Sequence, residues 1–405
     1  MPVINLLAGN LLGALVGAAF FLYASWNFSL AEMGRYSVAI SIQWVAVGLL
    51  GSGLSTAALR LTAGQLQQGD RHTAANIVYG ALAIVLLVGI AAAALLLIVD
   101  DHLAGAGYLS GRLLALVALW AMARSLIDIT RSGLLAQQRY EDAARVTVLS
   151  ALTGACALFA IIQLGELTLG RLLAAHVAGL GLAALLGIFF LKGLGAPRWT
   201  DVPAIWPSVL RYARWPATSE GSRLLQANMG PLLLVPLAGA EAAGLFGVAR
   251  YPAYLFEVVA VSLYQYWLPE ASIREKHSNL GGYLRLQLLL ASAIGLAMVL
   301  GAVVCSPLLP LLGENFAAVS ALFVLNAVDF SIFLLTRPID SVFHGLRKPH
   351  LELWPRLVRI PLLAVAAWLL VPQGGALGMV WAHVITGMIT LGFAGWLVRR
   401  ELRLR

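Results

Sequence analysis

The feature that most constrains this chain is a set of apolar runs too long and too numerous for any water-exposed fold to hide. From residue 3 to residue 399 the sequence alternates such runs with short polar turns. Wound as helices, stretches of about 20 residues match the hydrocarbon thickness of a bilayer. Lipid offers no solvent to an unpaired peptide group, so every run is expected to be helical. The runs fall at 3–26, 34–60, 74–99, 109–136, 144–164, 168–194, 217–238, 242–269, 284–310, 316–343, 354–372 and 376–399. Only 11% of the 405 residues are charged and 60% are hydrophobic, against roughly 25% charged in a soluble domain. The expected fold class is an all-α membrane protein of about 12 transmembrane helices.

The formal charge of +8 could in isolation point to nucleic acid. The basic residues, however, sit in turns or singly inside apolar runs, and no nucleic-acid partner is expected. One set of alternate turns holds Arg71, Arg139, Arg145, Lys192, Arg198, Arg211, Arg214, Arg274, Lys276, Arg285, Arg347 and Lys348, and the tail adds Arg399, Arg400, Arg403 and Arg405. The other set holds Glu32, Asp100, Asp101, Glu166, Glu241 and Glu314, with Arg35, Arg112 and Arg171 only at adjoining helix starts. The positive-inside rule places the first set and both termini in the cytoplasm. The opening apolar stretch reads as a retained span rather than a cleaved signal. Cys156 and Cys305 have no partner at metal or disulfide spacing, so neither a metal nor another cofactor is expected.

The two halves resemble each other. Ala31-Glu32-Met33-Gly34-Arg35-Tyr36-Ser37-Val38-Ala39 pairs with the stretch from Ala240-Glu241 through Gly244-Leu245-Phe246-Gly247-Val248-Ala249. Ile127-Asp128 with Gly133-Leu134 pairs with Ile339-Asp340 and Gly345-Leu346, and Ala175-His176-Val177 with Ala382-His383-Val384. Three matches in one order at nearly constant offset indicate an internal duplication. The expected domains are a six-helix lobe at 1–194, a cytoplasmic amphipathic linker at 195–216 and a second six-helix lobe at 217–405. Two like-facing lobes of this kind can rock about a central cavity. In the linker Val202, Ile205, Trp206, Val209, Leu210 and Ala213 recur at helical spacing, with Arg211 and Arg214 on the polar side. Gly9, Gly13 and Gly17 mark one face of the first span as a surface for close packing.

At these residues the chain resembles the multidrug/oligosaccharidyl-lipid/polysaccharide (MOP) exporter superfamily, and within it the polysaccharide-biosynthesis flippases of the O-antigen type. The resemblance spans essentially the whole chain. It is carried by Gly34-Arg35-Tyr36, Leu210-Arg211-Tyr212 through Pro216, Gly244 to Ala249, Pro269, and Gly374-Gly375-Ala376-Leu377-Gly378. It implies a two-lobed bundle that exposes a cationic cavity alternately to each side of a bacterial inner membrane. The implied cargo is a polyprenyl-diphosphate-linked oligosaccharide, and the implied protein partners are a polysaccharide polymerase and glycosyltransferases of the same pathway. The sequence departs at Asn228, where relatives often carry Asp.

A charge in mid-bilayer costs roughly 2.5 kcal/mol or more, so it should face water or an opposite charge. The charges deep in spans are Arg124, Asp128, Arg131, Glu220, Arg223, Arg250, Glu257, Asp329, Arg337 and Asp340. A diphosphate calls for fixed guanidinium charge, which can grip two oxygens at once. Arg124 and Arg131 flank Asp128 on one helix face, as Arg337 does Asp340, either as self-neutralising pairs or as part of a binding surface. Arg223 and Arg250 are the expected cavity-lining cations. The span bearing Arg223 also carries Ser219, Glu220, Ser222, Gln226 and Asn228, and Arg250 has no carboxylate one turn away. Arg356 and Arg359 are expected to snorkel to head groups, and Arg60 either to snorkel or to join the inner mouth. His176 and His383 are expected as packed polar residues rather than a proton relay. The candidate site is therefore Arg223, Arg250, Arg124, Arg131 and Arg60, with Glu220, Gln226, Asn228, Asp128, Asp329 and Asp340 as polar or coupling positions.

Two other functions compete. A cation-coupled drug exporter of the same superfamily would want a carboxylate-rich pocket. A polytopic glycosyltransferase or polymerase would want catalytic groups in a sizeable outer loop, which the short turns do not supply. If the orientation is right, green fluorescent protein fused at either end should fluoresce and alkaline phosphatase at either end should stay inactive. Active phosphatase at one end would overturn it.

Overall fold

The computed structural model describes residues 2–100, 109–276, 280–346 and 348–403, with side-chain surroundings given from Leu12 onward except at 265–266, 268–270, 272–276 and 349. Asp101, Arg347 and Arg405, and the side chains of Gly9, Pro269, Arg274 and Lys276, lie outside that description. The described residues are helical almost throughout and contain no strand. Nine of their helices are long and apolar enough to cross a membrane. Two of the nine are each divided by a glycine turn, at Gly239 (φ 89°) and at Gly375 (φ 51°). With Pro2–Asn27 this gives the twelve expected segments.

We number them α1 Pro2–Asn27, α2 Leu30–Gln67, α3 Arg71–Ile98, α4 Gly111–Ala136, α5 Tyr140–Gln163 and α6 Leu169–Leu194. The second half has α7 202–238, α8 240–276, α9 Leu280–Leu312, α10 Ser320–Gly345, α11 353–374 and α12 376–403. The two dividing glycines make the α7–α8 and α11–α12 turns, where a side chain would be strained at positive φ. The first half makes its α1–α2 turn with a capping box: the Ser29 amide donates to Glu32 Oε2 at 3.0 Å, and the Glu32 amide to Ser29 Oγ at 3.3 Å.

Packing sorts the chain into two units. One unit gathers the chain up to Asn27 with Val38–Asn228; the other gathers Phe28–Ser37 with Met229 onward. Within the first, α4 packs against α2, α3, α5 and α6. Within the second, its repeat counterpart α10 packs against α9 and the α11–α12 pair. Both central helices are mostly buried, whereas α9 leaves Leu286, Leu289, Leu296, Leu300 and Val304 exposed, as a lipid-facing helix should.

The linker stripe is amphipathic, but its partner is protein rather than membrane. Residues 202–238 form one helix that runs unbroken through Pro216. Trp206, Val209 and Ala213 are buried against Leu54, Ala57, Ala74, Ile77 and Val78 of the same unit, while Leu210 faces outward. Close packing at Gly13 is also not found among the described residues, none of which places an atom within 4 Å of an added Cβ.

The second unit contains the closest backbone approach, and it joins the repeated glycines. A Cβ on Gly34 would lie 1.8 Å from the Ala240 carbonyl oxygen and 3.0 Å from the Gly244 nitrogen. A Cβ on Gly244 would lie 2.0 Å from the Leu30 carbonyl oxygen and 3.2 Å from the Gly34 nitrogen. The contact is reciprocal, as at a twofold crossing, and the repeat partners Tyr36 and Phe246 are buried beside it. Gly34→Val should cost roughly 2 kcal/mol or more, since backbone must move, whereas Gly13→Ala should stay within about 0.5 kcal/mol. Thermal unfolding in detergent measures both, and equal melting temperatures would sink the crossing.

Candidate functional site

The candidate residues divide between the two units. In the first, α2 carries a π-helical segment, Val47–Gly51. Such bulges re-aim neighbouring side chains and recur at functional sites. Its glycines let other helices approach: a Cβ on Gly48 would lie 3.1 Å from Gly221 Cα, and one on Gly51 would lie 2.4 Å from Ser125 Oγ. The α7 and α4 turns held this way are those that bear Glu220, Arg223 and Arg124. Arg124 Nε donates to Asp128 at 3.2 Å, and its guanidinium lies 5.6 Å from the Trp44 ring centroid. Arg131 shares the field of the same Asp128. Arg223 holds Glu220 through two donors, at 2.9 and 2.7 Å. Asn228 is buried and turned back on its own helix, donating to the Leu224 carbonyl at 2.8 Å. Gln226 is buried, and Arg60 is exposed at the far end of α2.

In the second unit Arg250 is 5% exposed. Its Nη1 donates to Asn326 at 3.0 Å and to Asp329 Oδ2 at 3.2 Å. Arg359 Nη2 donates to the other oxygen of Asp329 at 3.0 Å and to the His383 carbonyl at 3.0 Å. His383 Nδ1 lies 3.8 Å from Asp329 Oδ2. One carboxylate on α10 thus joins side chains from α8, α11 and α12. Phe246, Tyr254 and Phe330 surround the Arg250 guanidinium, with Phe330 nearest at 4.9 Å. A second cluster closes the end of α10: Arg337 donates to Asp340 at 3.2 Å, Arg356 joins Asp340 and Glu352, and His344 meets Glu352 at 2.9 Å.

Several expectations are corrected by this geometry. Arg223 and Arg250 do not carry unpaired charge, because each holds a carboxylate. For Arg250 that carboxylate comes from another helix, which the i±3 and i±4 test cannot see. Arg356 and Arg359 do not snorkel, because Asp340, Glu352 and Asp329 hold them inside. The paired reading of Asp128 and Asp340 is the one observed. The two repeat histidines differ. His176 is stacked between Phe20 and Trp120, at 4.0 and 4.1 Å, whereas His383 sits at the Asp329 hub. Sequence reasoning left Arg359 and His383 out of the site, and only the spacing Arg359, Asp329, His383 across three helices brings them in.

No protein-family model matches the chain, and no curated protein sequence matches it. Among solved structures the chain is similar to an inward-facing multidrug-resistance MATE transporter of the MOP superfamily, with TM-score 0.78 and 13% identity over 96% of this chain and 95% of that one. It is also similar to the lipid II flippase MurJ in an inward closed conformation, with TM-score 0.77 and 14% identity over 98% and 87%. A third match is a MOP-superfamily transporter from Pyrococcus furiosus whose binding pocket is described as reversed in polarity, with TM-score 0.67 and 15% identity over 99% and 95%. At these identities the likeness establishes the fold. The chain is a multi-pass, two-lobed, twelve-helix membrane protein with the fold of these neighbours.

Asp329→Ala would strand two buried guanidiniums and should destabilise the protein by roughly 3–5 kcal/mol. Glu220→Ala removes a half-exposed i,i+3 pair and should cost about 0–1 kcal/mol. Thermal unfolding in detergent compares the two, and similar melting temperatures would refute the hub.

Proposed function

We propose that this protein is a flippase that moves a polyprenyl-diphosphate-linked oligosaccharide, a surface-polysaccharide repeat unit, across a bacterial inner membrane by alternating access. In this reading both termini face the cytoplasm. The halves 1–194 and 217–405 rock about a cationic cavity and are joined through 195–216. The protein carries its cargo rather than catalysing its synthesis, and the polymerase and glycosyltransferases of the same pathway act beside it.

The observation that carries the reading is arginine sharing. Asp128 serves both Arg124 and Arg131, and Asp329 serves both Arg250 and Arg359. Guanidinium charge can therefore be given to an anion while the carboxylate keeps a partner. A diphosphate is the anion that best matches such donors, through paired N–H···O bonds. The exposed apolar flanks of the helices suit a cargo whose lipid tail stays in the bilayer. Drug export is the activity named for the MATE neighbour, but an organic cation would need carboxylate in excess of arginine.

Uptake of a labelled polyprenyl-diphosphate oligosaccharide into inverted proteoliposomes tests the proposal. Wild type should transport it, and Arg223→Ala and Arg250→Ala should each lose roughly tenfold or more, the order of one charge-assisted hydrogen bond. Normal transport in both variants, together with uptake of a cationic dye, would replace the flippase by a drug exporter.

A further inference from the structure

Asp329 is held from two sides by independent donors, one on each oxygen. Arg250 takes Oδ2 at 3.2 Å and Arg359 takes Oδ1 at 3.0 Å. Arg359 is anchored separately by the His383 carbonyl at 3.0 Å. The His383 ring stands with Nδ1 3.8 Å from Oδ2, the oxygen Arg250 uses, and its Nε2 is buried without a hydrogen-bond partner. Arg250 Nε likewise has no partner. Glu257, two turns along α8, also lies in the field of Arg250.

A buried carboxylate normally cannot release its arginine, because stripping one partner from an internal ion pair is strongly destabilising. Here the release leaves Asp329 with Arg359 on one oxygen and the His383 Nδ1 3.8 Å from the other. The aromatic faces of Phe246, Tyr254 and Phe330 meanwhile accommodate a guanidinium that has left its carboxylate. We infer that Asp329 is an exchangeable counter-ion that holds Arg250 in reserve: an incoming phosphate group takes Arg250, and Arg359 with His383 retains the vacated carboxylate. The exchange trades hydrogen-bonded ion pairs, and no covalent bond is made or broken. Arg359 and His383 act as positioning residues and need not touch the cargo. The inference rests on the proposed phosphate-bearing cargo and adds the residues that make its cation available.

The test is equilibrium binding of undecaprenyl diphosphate to the purified full chain in detergent, followed by tryptophan fluorescence, with undecaprenol as the uncharged control. Arg359→Gln leaves Arg250 as the main partner of Asp329, and should weaken diphosphate binding about tenfold with little change in melting temperature. Asp329→Asn/Arg359→Gln keeps the net charge of the cluster but frees Arg250, and should restore binding to wild-type strength or better. A merely structural role predicts the reverse order, with the double variant weaker than the single. Arg359→Lys keeps a charge on Asp329 and should bind within about twofold of wild type, which serves if the double variant does not fold. Absence of diphosphate binding by wild type would overturn the cargo assignment itself. Wild-type binding with Arg359→Gln undiminished, with the folded double variant no better than Arg359→Gln, or with Arg359→Lys as weak as Arg359→Gln, would overturn the counter-ion exchange alone.

Discussion

Charge inside a bilayer is tolerated only when it is matched, and in the second unit the match is made at Asp329. Its two oxygens are taken by arginines from two different helices, and a histidine from a third stands beside them. The polar groups of α8, α10, α11 and α12 are therefore interdependent. Removing the carboxylate would leave two guanidiniums unmatched, whereas withdrawing either arginine leaves the carboxylate the other. The neighbouring Arg337, Asp340, Glu352, Arg356 and His344 repeat the principle at the end of α10.

The duplicated halves use one scaffold for different internal chemistry. The fourth helix of each is central and buried, and the glycines of the repeated entry motif meet backbone to backbone. Yet the histidine that recurs in α6 and α12 is an aromatic-packed ring in one and a member of an ionic hub in the other. The first unit places its charged groups on α4 and α7 around a π-bulge of α2 and leaves them partly exposed. The second buries its own.

Much of this was legible from the residues alone. Lipid removes the option of unpaired backbone, so helical spans follow from run length, and a glycine at positive φ or at a close crossing leaves a sequence mark. Gly34 and Gly244 were visible as repeat positions, although their contact was not. The i,i+3 and i,i+4 pairs Arg124 with Asp128 and Arg337 with Asp340 were readable for the same reason: helix periodicity fixes which neighbours share a face. The linker shows the limit. Its stripe was correctly periodic, but periodicity does not say whether lipid or protein covers an apolar face, and here Trp206 is covered by the helices that carry Leu54 and Ala74.

The sequence by itself determined the helices, their number, the duplication and the charges that had to be matched, because these depend on local geometry and on the solvent. Tertiary structure alone decided which charge meets which. Arg250 and Asp329 are 79 residues apart, and Arg359 and Asp329 are 30 apart. No spacing rule within a helix reaches that far. Whether an intramembrane arginine is available to a ligand or held by a carboxylate depends on helix packing, and packing is where the chemistry of this protein is set.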